Sequence, residues 1–213
     1  DLDSLDPHKA VAAGTKEVMF NVFEGLMKIS PDGSLIPAVA EKYTISDDGL
    51  TYTFTLREGI KFHNGDAVTA EDVLYSIERC AAASETGIVQ VAALSAIAGM
   101  EAPDEGTVVI TLSEPNNEFL VYLTLAILPA DYTEQDTKPV GTGPFKIGSI
   151  TPENMMCSYY EGYYGEKPAM KAIEYRYFSE EMAMVTSLIT GEIDLANNMT
   201  PTAAKMLEGQ PNL

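Results

Sequence analysis

Tyr43-Thr-Ile-Ser-Asp-Asp-Gly-Leu-Thr-Tyr-Thr-Phe-Thr-Leu-Arg57 is the stretch that decides the fold. Asp48-Gly49 separates two runs of strand-forming residues, and glycine accepts the positive φ that tight hairpin turns require. In the second arm Tyr52, Phe54 and Leu56 point one way, and Thr51, Thr53 and Thr55 the other. An apolar face opposite a hydroxylated one places this hairpin in a sheet with one buried side.

Upstream, Val18, Met19, Val22, Phe23 and Leu26 recur at helical spacing, so a helix is expected over residues 15–27. Downstream, Ile60 to Phe62 reads as a short extended piece and Asn64-Gly65 as a second turn. Thr69-Ala-Glu-Asp72 resembles a capping box, opening a helix with Val73, Leu74, Ile77 and Cys80 on one face. A short helix is expected from Val89 to Ala98, a strand from Thr107 to Leu112, and helical structure between Asn116 and Leu125. Phe145 to Ile147, Met155 to Tyr160 and Ala172 to Phe178 read as strands. An amphipathic helix follows from Glu180 to Thr190, with Met184, Val185, Leu188 and Ile189 inward and Gly191 as its stop. Ile193-Asp194-Leu195 reads as a short strand. Thr200 and Pro201 read as the N-cap and first turn of a last helix. Hairpins mixed with helices predict an α+β, mixed α/β fold rather than strict βαβ alternation. The last strand–helix–strand unit looks like half of an open α/β sheet, where ligands favour loops at the carboxyl ends of strands.

Composition narrows the function. The chain has 213 residues, of which 46% are apolar, enough for a substantial core. No apolar run approaches the roughly 18 residues that span a bilayer. Acidic residues number 32 against 13 basic ones. A surface of that sign repels phosphate backbones and anionic membrane faces, which argues against nucleic-acid binding. It leaves cationic ligands open. Cys80 and Cys157 form no C-x-x-C or Cys/His cluster, so no metal site is expected. A bridge between them is not expected either, because they fall in different parts of the chain organisation. No leader is visible at Asp1, and that carries no implication for compartment.

Several features invite functional readings that their chemistry does not sustain. Ser46-Asp47-Asp48-Gly49 lacks the alternating ligands and late glutamate of a calcium loop, and turn chemistry accounts for it. His63 has no candidate catalytic partner and is expected to hydrogen-bond within the Phe62-His-Asn-Gly65 turn. Gly141-Thr-Gly143 lacks a P-loop's lysine and precedes a strand, so it reads as a crossing where backbones approach closely. Met155-Met156 and Met182/Met184 read as core.

Eight segments carry a family resemblance: Leu5-Asp-Pro-His8, Asn21-Val-Phe-Glu-Gly-Leu26, Ser46 to Arg57, Lys61-Phe-His-Asn-Gly65, Thr69-Ala-Glu-Asp-Val73, Val140-Gly-Thr-Gly-Pro-Phe145, Tyr163-Tyr-Gly-Glu-Lys-Pro168 and Gly191-Glu-Ile-Asp-Leu195. Together, in this order, they resemble the family-5 extracellular solute-binding proteins, the dipeptide, oligopeptide and nickel binders of ABC importers. The sequence departs from the family at Glu41-Lys-Tyr43, where a tryptophan often stands; this chain has none.

The resemblance implies a periplasmic-binding-protein-like fold of type II, with a ligand enclosed between two lobes. It implies that residues 1–44 and 141–213 belong to lobe I, that 45–140 form an inserted small subdomain, and that the second lobe is missing from this chain, lying beyond it. It further implies an extracytoplasmic protein that binds peptides or peptide-like solutes without a cofactor and delivers them to permease subunits. Such proteins usually act as monomers, and a lipid anchor would lie in residues preceding Asp1. The loop of Phe23 and Glu24 lies beside the cleft in the family. Asn197, Asn198, Met199 and Thr200 follow an expected strand and precede a helix; they read either as hydrogen-bond donors to a peptide backbone or as a plain capped loop. Three other readings stay open: a surface peptide sensor, a binder of nickel or another small solute, and, more remotely, a hydrolase using paired carboxylates.

Overall fold

The structure, a computed structural model, describes residues 2–82 and 86–210. In chain order the elements are α1 (Ala13–Val22), β1 (Met27–Ile29), β2 (Leu35–Pro37), β3 (Ala40–Ile45), β4 (Thr51–Leu56) and α2 (Ala70–Ala82). A 3-10 helix (Ala92–Ala96) leads to β5 (Ile97–Asp104), β6 (Thr107–Leu112) and α3 (Phe119–Tyr122). Then come β7 (Phe145–Ile150), β8 (Asn154–Tyr159), β9 (Ala172–Arg176), α4 (Glu181–Thr190) and α5 (Pro201–Leu207).

The hairpin forms around Gly49 at φ 72°, and β3 pairs β4 antiparallel. The sheet it starts has the order β3-β4-β6-β5. Alternation holds: Tyr52, Phe54 and Leu56 are buried, as are Val108, Ile110 and Leu112 beside them. Val73, Ile77 and Cys80 of α2 join the same core, each such aliphatic side chain contributing roughly 1.5–3 kcal/mol when fully buried. At the start of α2, Thr69 N and Oγ1 both donate to Asp72 Oδ2, at 2.8 and 2.9 Å. Asp72 Oδ1 also accepts from Ala130 N at 2.9 Å, and Ser76 Oγ from Leu128 N at 2.8 Å. The helix is thereby sewn to the segment that leaves this half of the molecule.

A second core gathers Val18, Met19, Val22 and Phe23 with Phe145, Met155 and Cys157 under the β7-β8-β9 sheet. The two cores meet where the 22–27 segment runs past the glycine crossing. Gly143 N donates to Val22 O at 2.9 Å. A Cβ on Gly141 would lie 2.3 Å from that oxygen, so glycine is what permits the approach.

Several expectations are corrected. The first helix ends at Val22 rather than Met27, with Phe23 extended. Its expected apolar face splits, since Leu26 and Met27 enter the other core. The expected helix from Val89 to Ala98 is only the 3-10 helix, and from Ile97 the chain is strand, because the open edge of β6 takes it up as Met100 pairs Ile110. Ile193-Asp194-Leu195 is not a strand: no neighbour supplies a ladder among the described residues, and Leu195 is 78% exposed. With it goes the half of an open α/β sheet, as the strand pairs of the described residues are antiparallel. Met156 and Met182 are exposed, at 36% and 50%, rather than core. Cys80 and Cys157 are separate buried thiols, one in each core.

Candidate functional site

The residues after α1 are held from two sides. Glu24 O accepts from Ile127 N at 2.9 Å, while Gly25 O and Leu26 O accept from Val39 N and Ala38 N. Gly25 allows this, because a Cβ there would lie 2.4 Å from Leu123 O. The segment, α1 and the β1–β2 turn wall a cavity of about 650 Å³. Phe20, Phe23, Met27, Ile29, Ile36 and Pro144 make it largely apolar, Asn21, Ser30 and Thr124 add polar groups, and Glu24, Lys28 and Tyr163 form a hydrogen-bonded polar end.

At that end Glu24 is 7% exposed and pairs with Lys28 at 2.9 Å. Tyr163 donates its hydroxyl to Glu24 Oε1 at 2.7 Å, and Tyr164 donates to Oε2. Lys28 also donates to the Tyr163 oxygen at 2.9 Å. The Arg57 guanidinium stacks 4.8 Å above the Tyr164 ring and donates through Nε to Ala38 O. Burial alone lowers the Lys28 pKa, but the Glu24 charge and the Tyr163 hydroxyl outweigh it and raise it above the ordinary lysine value. Burial, reinforced by Glu24, pushes both tyrosines upward, so they stay protonated donors.

A second cavity, of about 420 Å³, borders the crossing and is lined by His63, Lys138 and Lys146 among others. His63 does not bond within its own turn. Its Nε2 meets Gly143 O at 2.9 Å, and its Nδ1 accepts from Gly141 N at 3.3 Å. Both nitrogens are thus committed to the crossing, and burial pushes the pKa down to about 4. Among the described residues no group of three or more His, Cys, Asp or Glu side chains is placed to hold a metal ion. No helix in them is long and apolar enough to cross a membrane.

Residues 34–213 match the model of the bacterial extracellular solute-binding proteins, family 5 Middle. The chain belongs to this family. The glutathione-binding protein GsiB of Escherichia coli is 31% identical over 99% of this chain and 43% of its own length. The periplasmic binding protein DppA of Helicobacter pylori, solved with the peptide STSA, superposes with a TM-score of 0.90 at 29% identity, over 100% of this chain and 48% of that one. AgaA of A. tumefaciens, solved with agropinic acid, gives 0.84 at 32% identity over 91% and 41%. The chain thus spans about two fifths of the curated relatives it matches.

Of the residues singled out from the sequence, the structure brings Phe23 and Glu24 to the larger of these two cavities. Asn197, Asn198, Met199 and Thr200 are not among its lining. Asn197 and Asn198 donate to the Glu17 carboxylate on α1, at 2.6 and 3.2 Å. Thr200 caps α5 by accepting from Ala203 N, and its own N–H and hydroxyl donate to Glu181. Met199 is half-buried between them. Tyr163, Tyr164 and Arg57 fall within the family-like segments, but neither they nor Lys28 are among the expected site residues. The four-residue spacing of Glu24 and Lys28 was visible, but it reads as a helix pair, and the structure makes it a loop–strand pair.

Proposed function

We propose that this chain is one lobe, with its inserted subdomain, of the extracytoplasmic solute-binding component of an ABC importer. Its ligands are peptides or peptide-like solutes. The observation that carries this reading is the cavity: a largely apolar lining in which the two charged residues, Glu24 and Lys28, are bonded to each other and to Tyr163. A carrier that accepts many sequences needs roomy side-chain space with few fixed polar points, since main-chain groups are common to all peptides. The residue ranges 1–44 with 141–213, and 45–140, are the lobe and the insert in this reading. A second lobe closes over the cavity, and the closed form is what the permease recognises. The protein acts as a monomer in this reading. Asn197 and Asn198 then brace α1 through Glu17 and Thr200 caps α5, and with Met199 they stay outside the ligand cavity.

Native mass spectrometry of the full-length protein, purified without denaturant, tests this. A ladder of short-peptide masses is the expected result. A single metal mass favours the nickel-type reading, and turnover of peptide or glycoside substrates favours an enzyme. Uptake of labelled peptide in cells lacking the protein separates transport from sensing: unchanged uptake points to the sensor.

A further inference from the structure

We propose that Lys28 is the charged anchor this lobe offers a ligand, and that the group it takes is a carboxylate. The inference deepens the reading above and rests on the cavity being a ligand half-site. Glu24 and Lys28 are the two charged residues in the lining. They look symmetrical in sequence but not in space. Glu24 is 7% exposed, and its oxygens already accept from Tyr163, Tyr164 and Lys28. Lys28 is 26% exposed. An ammonium has three donors, and two of them go to Glu24 and Tyr163. The ammonium also lies 5.6 Å from the Tyr163 and Tyr164 ring centroids, and among the described residues no third acceptor is bonded to it.

Charge points the same way. Lys28 cancels Glu24, whose oxygens already accept from three donors. An incoming ammonium would meet a cation and a carboxylate already occupied. An incoming anion gains a charge-assisted hydrogen bond beside the apolar walls of Phe20, Met27 and Ile36, where it is weakly screened. In a peptide or peptide-like solute the anions available to the Lys28 ammonium are carboxylates.

Calorimetry on the full-length protein with tri-alanine and tri-alanine amide tests the anchor. The free acid is expected to bind about tenfold or more tighter, the size of one charged hydrogen bond. Lys28→Met should erase that preference, and Lys28→Arg should keep it. Equal binding of acid and amide by the wild type, or an undiminished preference in Lys28→Met, overturns the anchor and leaves the carrier reading standing. Binding of neither compound counts against the peptide reading, and the anchor is then decided in wild-type protein labelled with carbon-13 lysine. Phenylacetate, but not phenylacetamide, shifting the Lys28 ε-carbon resonance supports it, and no shift with either overturns it. This second measurement needs no variant, so misfolding of Lys28→Met does not shield the proposal.

Discussion

Arg79 grips Asp6 with both ends of its guanidinium, Nη1 to Oδ1 at 3.0 Å and Nη2 to Oδ2 at 2.7 Å. The two side chains are 7% and 1% exposed and lie 73 residues apart. His8 joins them, its Nδ1 3.3 Å from Arg79 and its Nε2 2.8 Å from Ala126 O. The pair ties the N-terminal segment to α2, and so fastens the two cores together. Asp6→Ala would leave the guanidinium buried beside a lost partner, and urea unfolding should show a loss of about 3–5 kcal/mol. Burial alone raises the Asp6 pKa, but Arg79 outweighs it and holds it below the ordinary 3.8. The stability this supplies is present above that ordinary value and is lost as pH falls through the depressed folded one.

His63 acts in a different window. Its folded pKa of about 4 lies under the ordinary 6.5, so below pH 6.5 the unfolded chain takes up the proton first. Stability is full above pH 6.5, falls by about 1.4 kcal/mol per pH unit toward pH 4, and levels off below. Denaturant midpoints at pH 7, 5.5 and 4 should show this slope in the wild type. It should be weaker in His63→Gln, and a slope that persists unchanged assigns the loss elsewhere.

Glycine positions separate sharply by neighbourhood. Gly141→Ala places a Cβ 2.3 Å from Val22 O, and Gly25→Ala places one 2.4 Å from Leu123 O. Neither backbone can give without moving a core, so each should cost about 2 kcal/mol or more. Gly14 lies in α1 with nothing within 4 Å of its missing Cβ. Gly14→Ala should instead stabilise, by about 0.5–1 kcal/mol. Thermal melts of the three variants check the order.

The thiols should be silent in the folded protein. Burial pushes both Cys80 and Cys157 up to about 11, and each is 2% exposed or less. A disulfide reagent at pH 8 is expected to modify neither until denaturant is added, and then to count both. Rapid labelling of either under native conditions would contradict the two cores.

Local chemistry determined much of this protein from sequence. The alternation of Tyr52, Phe54 and Leu56, the Asp48-Gly49 turn, the Thr69–Asp72 helix start and the Gly191 stop each depend on neighbours a few residues away, and each formed as read. Even the close approach at Gly141 and Gly143 was legible, because paired glycines before a strand without a P-loop lysine read as a backbone crossing. Whatever depended on distant partners was decided by the tertiary structure alone. Ile97 to Asp104 became a strand because β6 had an open edge, and Ile193 to Leu195 did not because no strand pairs with it among the described residues. Phe23 and Glu24 could be singled out as site residues, but Tyr163 and Tyr164, which occupy the Glu24 carboxylate, lie 139 and 140 residues away. Net charge suggested cationic ligands, while folding buried the acid and left the lysine facing the cavity. Charge on a chain is a sum over residues; charge in a cavity depends on which of them the fold has already paired.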